Sequence, residues 1–168
     1  GFVPQLGSWL AGQGAQVRMI NAGVSGDTTA GGLARLDWTL AEPVDLVIVN
    51  LGSNDMLRGL DPGLAHENLD QILQKLEARR IPTLLVGHLG PLNYGADYKE
   101  RYDTAFQELA ARYDVVFYPF FFKTLMASDG VTPDLQNYFQ ADGLHPNADG
   151  VAAVVADMGP YILRALVR

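Results

Sequence analysis

Apolar positions along the chain alternate between two spacings. Phe2, Leu6, Trp9 and Leu10 fall on one helical face and give way to Gly12 and Gly14, which predicts an opening helix over 2–10. Residues 16–20 are short, apolar and partly β-branched, the pattern of a strand. A Gly/Ser loop over 21–27 leads to Asp27 or Thr28 as cap of a helix reaching about Leu40. After Glu42-Pro43, residues 44–51 form a near-continuous apolar run, the signature of a strand buried on both faces. The cycle then repeats. Pro62 and Gly63 open a helix to about Arg79, 82–86 is a buried strand, 96–112 a helix and 114–118 the last strand. Residues 119–141 are irregular, with a short helix near 123–127, and Asn147 caps a terminal helix over 148–167. Alternating helices and strands with short links imply a three-layer α/β/α sandwich around a parallel sheet, in one domain without repeats or linkers.

Composition narrows the partners. The 168 residues carry a formal net charge of -7, with 48% hydrophobic and 18% charged residues. That is a globular balance, and it lacks the basic face that nucleic acid or an anionic membrane requires. The densest basic spots, Arg79-Arg80 and Arg164 with Arg168, sit late in expected helices, where the helix dipole favours them. There is no cysteine, which removes disulfides, thiolate metal sites and thiol nucleophiles but is compatible with any compartment. No apolar run approaches the roughly 20 residues of a membrane span. No histidine or carboxylate pair has metal-binding spacing, and no cofactor motif such as GxGxxG or a P-loop follows a strand.

Parallel sheets bind ligands beyond the carboxyl ends of their strands, which directs attention to particular loops. Asp142-Gly143-Leu144-His145-Pro146-Asn147 lies just before the terminal helix. A turn with Asp and His three residues apart can place a carboxylate against an imidazole, as a hydrolase base requires, and Pro146 keeps His145 extended. Standing alone, the same residues read more readily as an Asp turn ahead of an N-cap. Gly52-Ser53-Asn54-Asp55 follows the run at 44–51. There Asn54 can donate to a developing oxyanion, and Gly52 permits a sharp turn. In the loop after the first strand, the Gly26 amide beside a helix start is a second candidate donor. Either loop could also be only a polar turn. His66 reads as a solvated helix residue, whereas His88 ends a strand on the ligand side.

Taken in order, these motifs resemble the SGNH hydrolases, the GDSL-type lipases and esterases. The second block is similar to Val24-Ser25-Gly26-Asp27-Thr28, the third to Gly52-x-Asn54-Asp55 and the fifth to Asp142-x-x-His145-Pro146. Gly31-Gly32-Leu33-Ala34-Arg35, Leu57-Arg58-Gly59 and Asn93-Tyr94-Gly95 extend the likeness toward the arylesterase and bacterial thioesterase I/lysophospholipase branch. The resemblance implies His145 as general base, Asp142 as its orienting partner, and Gly26 and Asn54 as oxyanion donors. It also implies an acyl-enzyme route without metal or cofactor. Met56, Leu57, Leu89, Leu92 and Tyr94 become acyl-side walls; Leu60 is as easily packing, and Phe120–Phe122 either wall or core.

The family's nucleophilic serine belongs to a Gly-Asp-Ser block that this sequence does not contain. We therefore expect an N-terminally incomplete chain, its serine ahead of Gly1. The implied fold is a flavodoxin-like sheet of order 2-1-3-4-5 with its first strand outside these residues. Ser25 is the best visible substitute, but it lacks the second glycine of a G-x-S-x-G elbow. The expected activity is hydrolysis of small aryl or acyl esters, with thioesters or lysophospholipids as further acyl donors. A carbohydrate acetyl esterase and a non-catalytic flavodoxin-like binding domain are the alternatives. The resemblance favours a periplasmic or secreted location and leaves a cytoplasmic one open.

Overall fold

The computed structural model describes residues 1–167. In chain order its elements are helices α1 (Phe2–Gly12) and α2 (Thr29–Thr39), strand β1 (Val47–Val49), α3 (Ser53–Leu57), α4 (Pro62–Ala78), β2 (Thr83–Val86), α5 (Ala96–Arg112), β3 (Val116–Tyr118), α6 (Leu135–Tyr138) and α7 (Ala148–Leu166). Single 3-10 turns occur at Leu92–Tyr94 and Lys123–Leu125. The chain divides into two compact units, one of Gly1–Asn21 with Phe121–Arg164, the other of Ala22–Phe120 with the residues from Ala165 on.

The second unit holds a parallel sheet in the order β1-β2-β3, with Val49 opposite Leu85 and Val86 opposite Tyr118. Among the described residues the sheet has three strands, which lie side by side in chain order. The middle strand, β2, is buried at all four positions. Helices α2, α4 and α5 lay Leu36, the stripe Leu69, Ile72, Leu73 and Leu76, and Tyr102, Phe106 and Leu109 against Val49 and Leu85. The α4 stripe follows the helical spacing read from the sequence, and its start is fixed by Asp61, whose carboxyl accepts from the Gly63 N–H at 2.6 Å. Parallel strands flanked by helices are thus the observed fold class.

In the first unit, α1 and α7 approach closely at Gly159, where a Cβ would lie 2.4 Å from the Trp9 ring. Leu6, Leu10, Val154, Val155, Met158 and Ile162 are all buried. Asn147 caps α7 as expected, accepting from the Gly150 N–H at 2.9 Å.

Several expectations are corrected. Residues 16–20 form no strand: a β-prone segment becomes one only beside a partner that shares its hydrogen bonds, and no ladder among the described residues includes them. The run at 44–51 forms a ladder only at Val47–Val49, where β2 runs alongside. Of the two expected caps of α2, Thr28 is the one used, accepting from the Gly31 N–H at 3.3 Å, while Asp27 pairs with Arg35 at 2.6 Å. The helix sought near 123–127 is a single 3-10 turn. Helix α6 was not foreseen, because four residues are too few to show periodicity; Asp134 caps it by accepting from the Asn137 N–H at 3.2 Å. No described helix is long and apolar enough to cross a membrane.

Candidate active site

The turn before α7 is closed by its own backbone. The Gln140 N–H donates to His145 O at 2.8 Å, and the Gly143 N–H donates to Gln140 O at 3.0 Å. Gly143 has φ +66, a conformation that other residues enter only with strain. Asp142 Oδ1 accepts from the Leu144 N–H at 2.9 Å and the His145 N–H at 3.0 Å, which frees Oδ2 to meet His145 Nδ1 at 2.7 Å. The His145 hydrogen bond, followed by the two backbone N–H groups, holds the Asp142 carboxyl down at about 2. An ionised carboxylate only accepts, so Nδ1 carries the proton and Nε2 presents its lone pair. The imidazole is 70% exposed, and Nε2 has no hydrogen-bond partner among the described residues. Such a group can take a proton from a hydroxyl brought to it.

Gly26, on the loop before α2, and Asn54, in the first turn of α3, lie in the second unit. Asn54 Nδ2 donates to Asp27 O at 2.9 Å, using one of its two amide hydrogens and leaving the other to donate. Gly26, at φ +77, is exposed, and its N–H meets no acceptor among the described residues. Gly52, at φ +119, turns the chain from β1 into α3; a Cβ there would lie 2.7 Å from the Tyr102 hydroxyl, which donates to Gly52 O.

Of the acyl-wall candidates, Tyr94 and Leu57 are in contact. The Tyr94 hydroxyl donates to Leu57 O at 3.4 Å, and its ring packs over Gly59. The Tyr98 hydroxyl donates to Leu60 O at 2.9 Å. Leu57, Leu89, Leu92 and Tyr94 are exposed, whereas Met56 is partly buried against the core. Phe121 and Phe122 are in aromatic contact, with centroids 5.0 Å apart.

Three groups that hold these loops were not identified from sequence. Asp55, fully buried, accepts from Thr29 N–H at 2.9 Å and Thr29 Oγ1 at 2.6 Å. Arg58 donates to Gly26 O at 2.7 Å, and Asn50 Oδ1 accepts from His88 Nε2 at 3.0 Å. Polar residues in a turn look alike in sequence, and only the fold shows which ones face a partner. His88 is buried, and burial pushes its imidazole down to about 4, so it is neutral and ties the end of β1 to the end of β2. His66 is not solvated: its side chain is only 24% exposed and lies 3.7 Å from Glu108.

A parallel sheet flanked by helices and a histidine oriented by a carboxylate are each features that hydrolases of ester bonds use. The chain belongs to the GDSL-like lipase/acylhydrolase family, whose model matches residues 1–153. It is 42% identical over 147 residues to the Pseudomonas aeruginosa esterase TesA, covering 87% of this chain and 70% of that protein. It is 37% identical over 155 residues to Escherichia coli thioesterase 1/protease 1/lysophospholipase L1, covering 92% of this chain and 71% of that protein. A crystal structure of a protein named TesA, 36% identical to this chain, superposes with a TM-score of 0.86, covering 98% of this chain and 88% of the other. These relatives are enzymes, which favours hydrolysis over a flavodoxin-like binding module.

Proposed function

We propose that the protein is a serine esterase of small acyl and aryl esters, with His145 as general base and Asp142 as its orienting carboxylate. The observation that carries this reading is the 2.7 Å contact between His145 Nδ1 and Asp142 Oδ2, with Nε2 left to accept a proton. Nε2 takes the proton of a serine hydroxyl as its oxygen bonds to the ester carbon. The carbonyl oxygen, now an anion, is stabilised by the Gly26 N–H and the second amide hydrogen of Asn54. The imidazolium then protonates the departing alcohol, and water, deprotonated by the same Nε2, releases the acid. Nothing in these steps calls for a metal or cofactor. Thioesters and lysophospholipids are reasonable further substrates, given the name of the Escherichia coli relative. Met56, Leu57, Leu89, Leu92 and Tyr94 are the residues we assign to the acyl side. The family match runs over residues of both compact units, so we treat them as parts of one domain.

Labelling the enzyme with a fluorophosphonate, mapping the adduct and measuring variants tests the scheme. Modification of a serine is expected, with His145→Ala abolishing both labelling and turnover. Asn54→Ala should lower kcat by about 10²–10³. Full activity in His145→Ala would overturn the assignment of the base, and an adduct on Ser25 would overturn the assignment of its loop to the oxyanion hole.

A further inference from the structure

The loop that presents Gly26 is held by side chains from two elements. Residues 21–26 are all exposed, and Gly26, with φ +77, has the conformational freedom of glycine. Arg35, on α2, donates to Ala22 O at 2.8 Å and pairs with Asp27 at 2.6 Å, and the segment that follows β1 supplies further hydrogen bonds. Asp55 anchors Thr29 through two bonds, and Asn54 holds Asp27 O at 2.9 Å. Arg58, at the carboxyl end of α3, donates from Nη2 to Gly26 O at 2.7 Å. The peptide unit after Gly26 is consequently held at both polar atoms. Arg58 takes its carbonyl, and the Asp27 N–H donates to Val24 O at 3.2 Å. With that plane fixed, the direction of the Gly26 N–H depends only on the two backbone dihedrals of Gly26. Removing Arg58 releases the Gly26 carbonyl at the position where an oxyanion donor must be preorganised.

We propose that Arg58 is a positioning residue for the Gly26 N–H, holding that oxyanion donor on line through the Gly26 carbonyl. The proposal rests on the assignment of Gly26 and Asn54 to the oxyanion hole. Arg58 touches no reacting atom in this scheme. Its guanidinium acts as a charged donor to a neutral carbonyl, stronger than a neutral hydrogen bond and able to survive at an exposed site.

The full-length enzyme carrying Arg58→Met, which removes the donors but keeps much of the aliphatic stem, is compared with Arg58→Lys, Asn54→Ala and the Arg58→Met/Asn54→Ala double variant. Arg58→Met is expected to lower kcat about tenfold with KM within about twofold. It should weaken a boronic acid inhibitor, which mimics the tetrahedral adduct, by the same factor as kcat/KM. Arg58→Lys should recover part of the loss, and added guanidinium at millimolar levels should partly rescue Arg58→Met. An unchanged kcat in Arg58→Met, or a rise in KM alone, overturns the proposal. If Arg58→Met does not fold, Arg58→Lys decides: a kcat loss intermediate between wild type and Asn54→Ala supports the proposal, and none overturns it. An unchanged kcat in Asn54→Ala would instead sink the underlying oxyanion assignment, so the two failures are distinguishable.

Discussion

Asp142 shows how a three-residue spacing becomes chemistry. Its Oδ1 is used by the Leu144 and His145 N–H groups, so only Oδ2 is left to orient the imidazole, and the side chain cannot rotate away without losing all three bonds. These bonds depress the carboxyl to about 2 from an ordinary 3.8. The sign follows from that shift. A depressed carboxyl adds stability to the turn above its unfolded value, and that contribution is lost as pH falls toward 2. The acid limb of kcat/KM should therefore not be set by Asp142, which stays ionised throughout the working range. We expect Asp142→Asn to lower kcat by about 10²–10³, less than the roughly 10⁴ of a buried triad carboxylate. The reason is that Asp142 is 44% exposed, and water shares in stabilising the imidazolium. Steady-state kinetics across pH test this, and an Asn variant with wild-type kcat would rule out the orienting role.

Helix α4 ends on a residue that its geometry disfavours. The Arg80 N–H donates to Glu77 O at 2.8 Å and the Ile81 N–H to Leu76 O at 3.1 Å, the paired bonds of a Schellman ending. Such an ending places its central residue in the left-handed region, and Arg80 occupies it at φ 56. Replacing Arg80 by glycine should raise stability by about 0.5–1 kcal/mol in urea denaturation, because the Cβ strain disappears. A loss of stability would mean that the Arg80 side chain contributes more than its backbone strain costs. The sequence suggested only that basic residues suit this helix end. In the structure, Arg79 does more than complement the dipole, donating to Asp37 and to Leu40 O. Helices were legible wherever an apolar stripe ran for three turns or more. The short α6 and the shortened β1 were not, since caps and partner strands decide them.

For the molecule as a whole, the sheet and its helices concentrate the burial. Leu85, in the middle of β2 and fully buried, touches the side of the sheet on which α2, α4 and α5 pack. Leu85→Ala is expected to cost about 2–5 kcal/mol, seen as a lower urea midpoint at an unchanged slope. Leu92→Ala, at a site 71% exposed, should leave the midpoint nearly unmoved, and equal losses at both would contradict this picture of the core. Periodicity determined the long helices, the parallel α/β class and the α4 stripe, because burial leaves a mark on residue type at fixed intervals, and capping chemistry determined the start of α7. The Asp142–His145 turn was legible too, since all its bonds lie within a few residues. What only the tertiary structure decided is long-range pairing. Residues 16–20 enter no ladder, His88 is a buried neutral link to Asn50, and the loop of Gly26 is held by Asn54, Asp55 and Arg58 from more than twenty-five residues away. A polar side chain has the same local propensity whether it faces water or a distant carbonyl. Its partner is chosen by the fold.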